Sequence, residues 1–264
     1  MRLALRAASL RGPGLSGWTD SIPVLRDPSL WSDGPVQPPP LTTLPPNERR
    51  RAGPISRLAL SVAEEACAQT SLNPTAMASV FASANGDGGV IDSILRAIIT
   101  PSMDVSPTQF HNSVHNAAAG YWTISHGSIS PATAIGCFDW TFGTGLLKAA
   151  AETVTENHPV LFVAYDMPIP GPIGTVRVTP VPFACAFVLD PDVNAPAMAQ
   201  LTLTYDTSAP DMTDLPDDPS LRTLALGNPA ARSLPLLRLL ALHQAGTISA
   251  GCLNGALRIE VTPC

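Results

Sequence analysis

Cys137 is the side chain of this 264-residue sequence best placed to do chemistry. It follows an apolar run, Ala132 to Gly136, and precedes F-D-W-T-F-G-T-G-L-L-K-A-A-A, so it is expected at a corner where a strand turns into a helix. Such a corner projects one side chain out of the fold and aims the helix's free N–H groups at whatever that side chain holds. A thiol there is favoured as thiolate, and an oxyanion formed on its carbonyl adduct is stabilised. An isolated cysteine also serves often as a small buried hydrophobe, and the local pattern leaves both readings open. His111 and His115 stand at i, i+4, the spacing with which two imidazoles on one helix face share a zinc ion. Asn112 occupies the position where a zinc hydrolase carries its general-base Glu, and no third ligand is evident, so neither a metal nor any other cofactor is expected. Nothing singles out His111, His115, His126, His158 or His243 as the base of a Cys–His hydrolase. Arg49-Arg50-Arg51 suits either a phosphate group, such as a carrier protein's prosthetic arm, or a solvated approach to a helix.

The elements that must position these residues are legible from pattern. Leu3 to Leu10 is expected as a strand, and 15–46, rich in proline, as an ordered surface arm anchored by Trp18, Leu25, Leu30 and Trp31. Apolar residues at helical spacing predict a helix over Ile55 to Gln69. Ala78 to Ala84, Val160 to Asp166 and Pro182 to Leu189 read as buried strands, and Val90 to Ile99 as a short helix after the turn N-G-D-G-G. That turn lacks the Lys-Ser/Thr of a P-loop. Met167 to Gly174 is expected as a loop, followed later by a strand at Gln200 to Tyr205 and an acidic loop over 206–219. A helix at Ala231 to Gln244 and a strand at Ala256 to Val261 complete the reading, which is an α/β layered fold.

Composition narrows the function classes. A net charge of −6 without an extended basic cluster argues against nucleic acid. Five scattered cysteines without C-x-x-C spacing suit a reducing compartment, and no apolar run is long enough for stable insertion across a membrane. The N-terminal stretch, interrupted by Arg6 and Arg11, lacks a signal-peptide core, so a cytoplasmic protein is expected. Charged residues make up only 14%, which implies that a partner covers part of the surface.

The phrase S-P-T-Q-F-H-N-S-V-H-N-A-A-A-G-Y-W resembles the Asn/Ala/Gly helix segment of β-ketoacyl synthases. P-A-T-A-I-G-C-F-D-W-T-F-G-T-G-L-L-K-A-A stands where those enzymes carry the nucleophile elbow, and V-F-A-S-A-N-G-D, L-F-V-A-Y-D and A-C-A-F-V-L-D resemble flanking strands. The resemblance runs from about residue 45 to 190 and is nearest to the short chain length factors of aryl-polyene and xanthomonadin-type pigment clusters. It implies a thiolase-like fold corresponding to the N-terminal half of a synthase, with residues 1–190 as that domain and 191–264 as a short extension packed on it.

An elongating synthase also needs two C-terminal histidines, whereas His243 is the only histidine here beyond residue 158 and lacks their motifs. Bulky Phe138, Asp139 and Trp140 follow Cys137 where small residues would leave room for a thioester, and Asp139 is expected to place negative charge by the thiol. The resemblance with these departures implies a catalytically degenerate subunit. It would pair with a full-length ketosynthase, meet an acyl carrier protein through that complex and limit polyene length. His111, Asn112, His115, Asn116, Phe138, Trp140 and Phe142 are expected to line or plug the shared pocket, with Cys137 at the nucleophile-equivalent position. The alternative is an active condensing or acyl-transfer enzyme that uses Cys137.

Overall fold

The structure, a computed structural model, describes residues 1–102 and 104–264. The chain opens with strand β1 (Arg2–Gly12), the short strand β2 (Leu15–Ser16) and helix α1 (Trp18–Arg26). Helices α2 (Pro46–Arg51) and α3 (Pro54–Ala68) follow, then strand β3 (Ala78–Ala82) and helices α4 (Gly88–Ile98), α5 (Pro107–Asn112) and α6 (Ala117–His126). Next come β4 (Ala132–Ile135), α7 (Thr141–Thr155), β5 (Val160–Asp166), α8 (Gly171–Val176), β6 (Phe183–Asp190) and β7 (Ala199–Asp206). Helices α9 (Pro219–Gly227) and α10 (Leu234–Leu242) lead to the closing hairpin of β8 (Gly246–Cys252) and β9 (Gly255–Pro263).

The strands form one mixed sheet in the order β4-β3-β5-β6-β1-β7-β9-β8, with β2 paired to β1 off this path. β4, β3 and β5 run parallel, and the remaining neighbours pair antiparallel. β5 and β6 are buried along their whole length, which is why they read as continuous apolar runs without alternation. Val160, Phe162 and Ala164 face a cluster that includes Phe142 and Leu146 of α7, while Leu161, Val163 and Tyr165 face α3 and α6 on the other side. The molecule is therefore three-layered, with helices on both faces of the sheet.

Helix α7 is seated by Phe142, whose ring lies 6.0 Å from Phe162 and 6.4 Å from Phe187. Burying such a side chain contributes about 1.5–3 kcal/mol. A Cβ at Gly145 would stand 2.7 Å from the Phe162 ring, and one at Gly143 only 2.3 Å from the Gly251 carbonyl oxygen. The F-G-T-G sequence is thus a packing requirement, letting the helix lie directly on the strands.

Several elements differ from the sequence reading. The proline-rich arm contains a regular helix, α1, which begins beyond Gly17 at φ 94° and carries Pro23 inside it. Trp18 and Leu25 anchor it as expected, but Leu30 is exposed. The expected loop at Met167 to Gly174 runs into α8, and α9 and β8 are further elements, α9 burying Leu221, Leu224 and Ala225 at i, i+3, i+4. The helix expected over Ala231 to Gln244 is a 3-10 turn (Pro229–Ser233) followed by α10. His111 and His115 do not share a helix face: α5 ends at Asn112, and His115 lies in the turn before α6.

Candidate functional site

Cys137 stands at the end of β4, as the sequence implied, but a 3-10 turn at Phe138–Trp140 separates it from α7. Its backbone N–H donates to Thr141 Oγ1 at 2.9 Å, and Trp140 N–H donates back to the Cys137 carbonyl at 3.0 Å. Cys137 is half-buried, whereas Cys67, Cys185 and Cys252 are fully buried. Burial pushes the Cys67 and Cys185 thiols up to about 12 and that of Cys252 up to about 11, so these three are inert packing residues.

Phe138 takes a left-handed conformation, φ 49°, which is costly for a bulky side chain, and the residue is 58% exposed. The Arg177 guanidinium covers the Phe138 ring with its centre 3.9 Å from the centroid. Asp139 does not bear on the thiol as a lone charge. It is held by Arg177 at 2.6 Å and Arg232 at 3.2 Å, and Arg232 also donates to its backbone carbonyl at 2.7 Å. This corrects the expectation from the local sequence, because its counter-ions arrive from segments far along the chain. Trp140 turns the other way, donating through Nε1 to the Asp211 carbonyl at 3.1 Å, and Phe142 is in the core at 1% exposure.

Behind the elbow lies a buried polar anchor that the sequence reading missed. Asp166, at the end of β5, accepts from Ser83 Oγ at 2.9 Å, Asn85 N–H at 3.0 Å and Ala84 N–H at 3.1 Å. Its carboxyl is pushed up to about 6, because burial outweighs these hydrogen bonds and the nearby Arg177, which all favour the charge. Arg177 Nε donates to Asn85 Oδ1 at 2.9 Å, so the Asp166 loop and the Asp139 clamp form one network. Buried Asn228 completes it, donating to the Asp166 and Val181 carbonyls at 3.0 and 2.8 Å. The signal for Arg177 was a lone arginine in the proline-glycine segment, which only the fold connects to Asp139.

The histidine segment is divided in role. Asn112 is a brace, donating to the Arg51 carbonyl and accepting from Tyr121 OH, both at 2.8 Å. His111 is exposed and lies edge-on to Tyr121 with 5.9 Å between ring centroids. His115 Nε2 bonds the Ser83 carbonyl oxygen at 2.9 Å and packs over Gly136, where an added Cβ would come within 3.0 Å. It is therefore the candidate histidine that the fold brings against the elbow residue Gly136, while Asn116 is exposed at the start of α6. Among the described residues no histidine hydrogen-bonds the Cys137 thiol, and no group of three His, Cys, Asp or Glu side chains could hold a metal. No helix among them is long and apolar enough to cross a membrane.

The elbow borders an open edge. Among the described residues β4 pairs only with β3, and the bonds from Ser79 N–H to Pro131 O and Ser83 N–H to Ile135 O set the register. In such a parallel ladder the N–H groups of Ala132 and Ala134 point outward. The strand carries no charge or proline, and Phe138, just beyond it, is an exposed apolar side chain.

Comparison with known proteins agrees with this architecture. The chain has 22% identity and a TM-score of 0.74 to a chain of the ketosynthase (ApeO) in complex with its chain length factor (ApeC) from Xenorhabdus doucetiae, covering 98% of this chain and 99% of that one. The ishigamide ketosynthase/chain length factor matches at 14% identity and a TM-score of 0.72, over 99% of each chain. A type II polyketide synthase complex of acyl-carrier protein and hexaketide-bound ketosynthase, AntDE:AntF, matches at 10% identity and 0.73, over 100% of this chain and 99% of that one. At these identities the likeness establishes the fold, which is thiolase-like. No curated protein sequence matches the chain. The family model described as the N-terminal domain of β-ketoacyl synthase matches residues 25–228, and the chain belongs to that family.

Proposed function

We propose that the chain is the catalytically degenerate partner of an active ketosynthase, a chain length factor in polyene biosynthesis of the type II polyketide kind. The carrying observation is the uncharged edge of β4, unpaired among the described residues, directly beside an elbow whose Phe138 ring is held outward under Arg177. An edge of this kind is a template for strand pairing with another chain. Pairing there would bring Cys137 and Phe138 against the partner's own elbow. The Arg177–Asp139–Arg232 clamp holds Phe138 outward at that place, where an aromatic ring can end a growing acyl chain. Residues 191–264 serve in this reading as an extension of the same domain. The subunit acts in the cytoplasm and meets acyl carrier protein through the complex. The solved neighbours include ketosynthase/chain length factor complexes, which supports the pairing.

Co-expression with full-length ketosynthases of the same gene cluster tests the reading. A stable one-to-one complex whose condensation survives Cys137→Ala is the expected outcome. A trapped acyl thioester on Cys137, or a loss of orders of magnitude on that substitution, would establish the active-enzyme alternative.

A further inference from the structure

A hollow of about 550 Å³ lies between the proline stretch 36–41 and the start of α3, a volume typical of small-molecule sites. Its walls and floor are apolar, with Pro38–Pro40 on one side and Leu41, Leu58 and Met167 beneath. Arg49, Arg50 and Arg57 line it as well. None of the ion pairs among the described residues includes any of these three, although the chain carries a net charge of −6. Arg51, the third member of the arginine run, is instead paired with Glu48.

The guanidinium groups are positioned rather than loose. Arg57 donates through Nε to the Ala52 carbonyl at 2.9 Å and through Nη2 to the Arg49 carbonyl at 3.1 Å. Arg49 Nη2 reaches the Leu44 carbonyl at 3.3 Å, while its Nε is buried without a partner. A buried donor left unpaired is costly, and uncompensated guanidinium groups gathered at one apolar hollow favour an anion. An adjoining hollow of about 420 Å³ shares Pro54 and Met167 and includes Asp87 and Gly88 in its lining. There the chain's own Asp87 already accepts the Val90 N–H, so the anion belongs at the arginine end and the apolar portion towards Met167.

We propose that this groove is a binding site for a small anionic amphiphile: a phosphate or carboxylate head held by Arg49, Arg50 and Arg57, with an aliphatic tail along Leu41, Leu58 and Met167. The assignment goes beyond the pairing function and does not depend on it, because it is read as binding rather than condensation.

Titration calorimetry of the full chain with octyl phosphate tests it, with octanol and inorganic phosphate as controls. Saturable binding is expected for octyl phosphate, with each control weaker by about tenfold or more, since each lacks one half of the recognition. Arg50→Glu changes an exposed residue whose side chain bonds only Asn47, so it should leave the fold intact and weaken octyl phosphate binding by about tenfold. The wild-type chain provides a second measure that needs no variant: affinity should fall as NaCl is raised. Octanol binding as tightly as octyl phosphate, an unchanged affinity in Arg50→Glu, salt-independent binding, or no saturation by about 1 mM ligand would each overturn the proposal.

Discussion

At one end of the sheet the outer edge of β8 is covered by the loop through Met212 and Asp214. Asp214 N–H donates to the Ser249 carbonyl at 2.9 Å, Ser249 N–H to Asp214 Oδ2 at 2.7 Å and Gly251 N–H to Thr213 Oγ1 at 2.9 Å. At the other end β4 has β3 on one side and nothing described on the other, and its residues are Ala, Thr, Ala and Ile. One edge thus has its Ser249 and Gly251 donors satisfied by an acidic loop that discourages further pairing, while the other keeps its donors and lacks any charge that would repel a partner. The difference teaches where assembly is prevented and where it is permitted within a single sheet.

Breaking the open edge should have the largest effect. Ala134→Pro removes an outward N–H while leaving the β3 ladder, so the chain should fold but lose affinity for the proposed ketosynthase partner by about a hundredfold or more. Analytical ultracentrifugation of mixed subunits reads this, and unchanged pairing would remove β4 from the interface.

Two aromatics four residues apart sharpen the contrast between elbow and core. Phe142→Ala should cost about 3–5 kcal/mol in denaturant unfolding, because it empties the contact between α7, Phe162 and Phe187. Phe138→Ala, at 58% exposure, should cost no more than about 1 kcal/mol, the scale of the exposed contact with Arg177 that it deletes. In a reconstituted complex the same change should lengthen the products, as read by mass spectrometry. Unchanged product length would mean that the exposed ring does not bound the acyl chain.

The anchor behind the elbow predicts a pH dependence. With its carboxyl pushed up to about 6 in the fold, Asp166 favours the folded state most when protonated. Its contribution is fully present below the ordinary carboxylate range near pH 4 and is lost as pH rises through about 6, a change of up to about 3 kcal/mol. Relative to Asp166→Asn, the wild-type chain should therefore lose stability between about pH 4 and 6.5 in parallel urea titrations. A difference that is flat in pH would show that this group does not titrate in that window.

The smallest effect is expected at the closed edge. Asp214→Ala deletes one side-chain acceptor for the β8 backbone and should cost about 0.5–1.5 kcal/mol. It should also raise self-association at high concentration, measured by light scattering, if the loop protects that edge.

The amino-acid sequence by itself determined the framework. β5 coincides with the run Val160 to Asp166, and β6 and α3 fall within about a residue of their expected limits. Runs buried on both faces, and a helix with one apolar face, are written locally in hydrophobic order. Cys137 at the end of β4 was legible for the same reason, since a strand, a corner and a helix are contiguous in the chain. What only the tertiary structure decided is which side chains meet across long separations. Asp139 finds Arg177 and Arg232, Arg57 joins Arg49 and Arg50 at one hollow, and Phe138 and Phe142 part to opposite environments despite their shared type. His111 and His115 looked paired because periodicity assumes a helix continues, yet α5 stops between them. Charge pairing and helix termination depend on what the fold carries past each residue, and no local pattern encodes that.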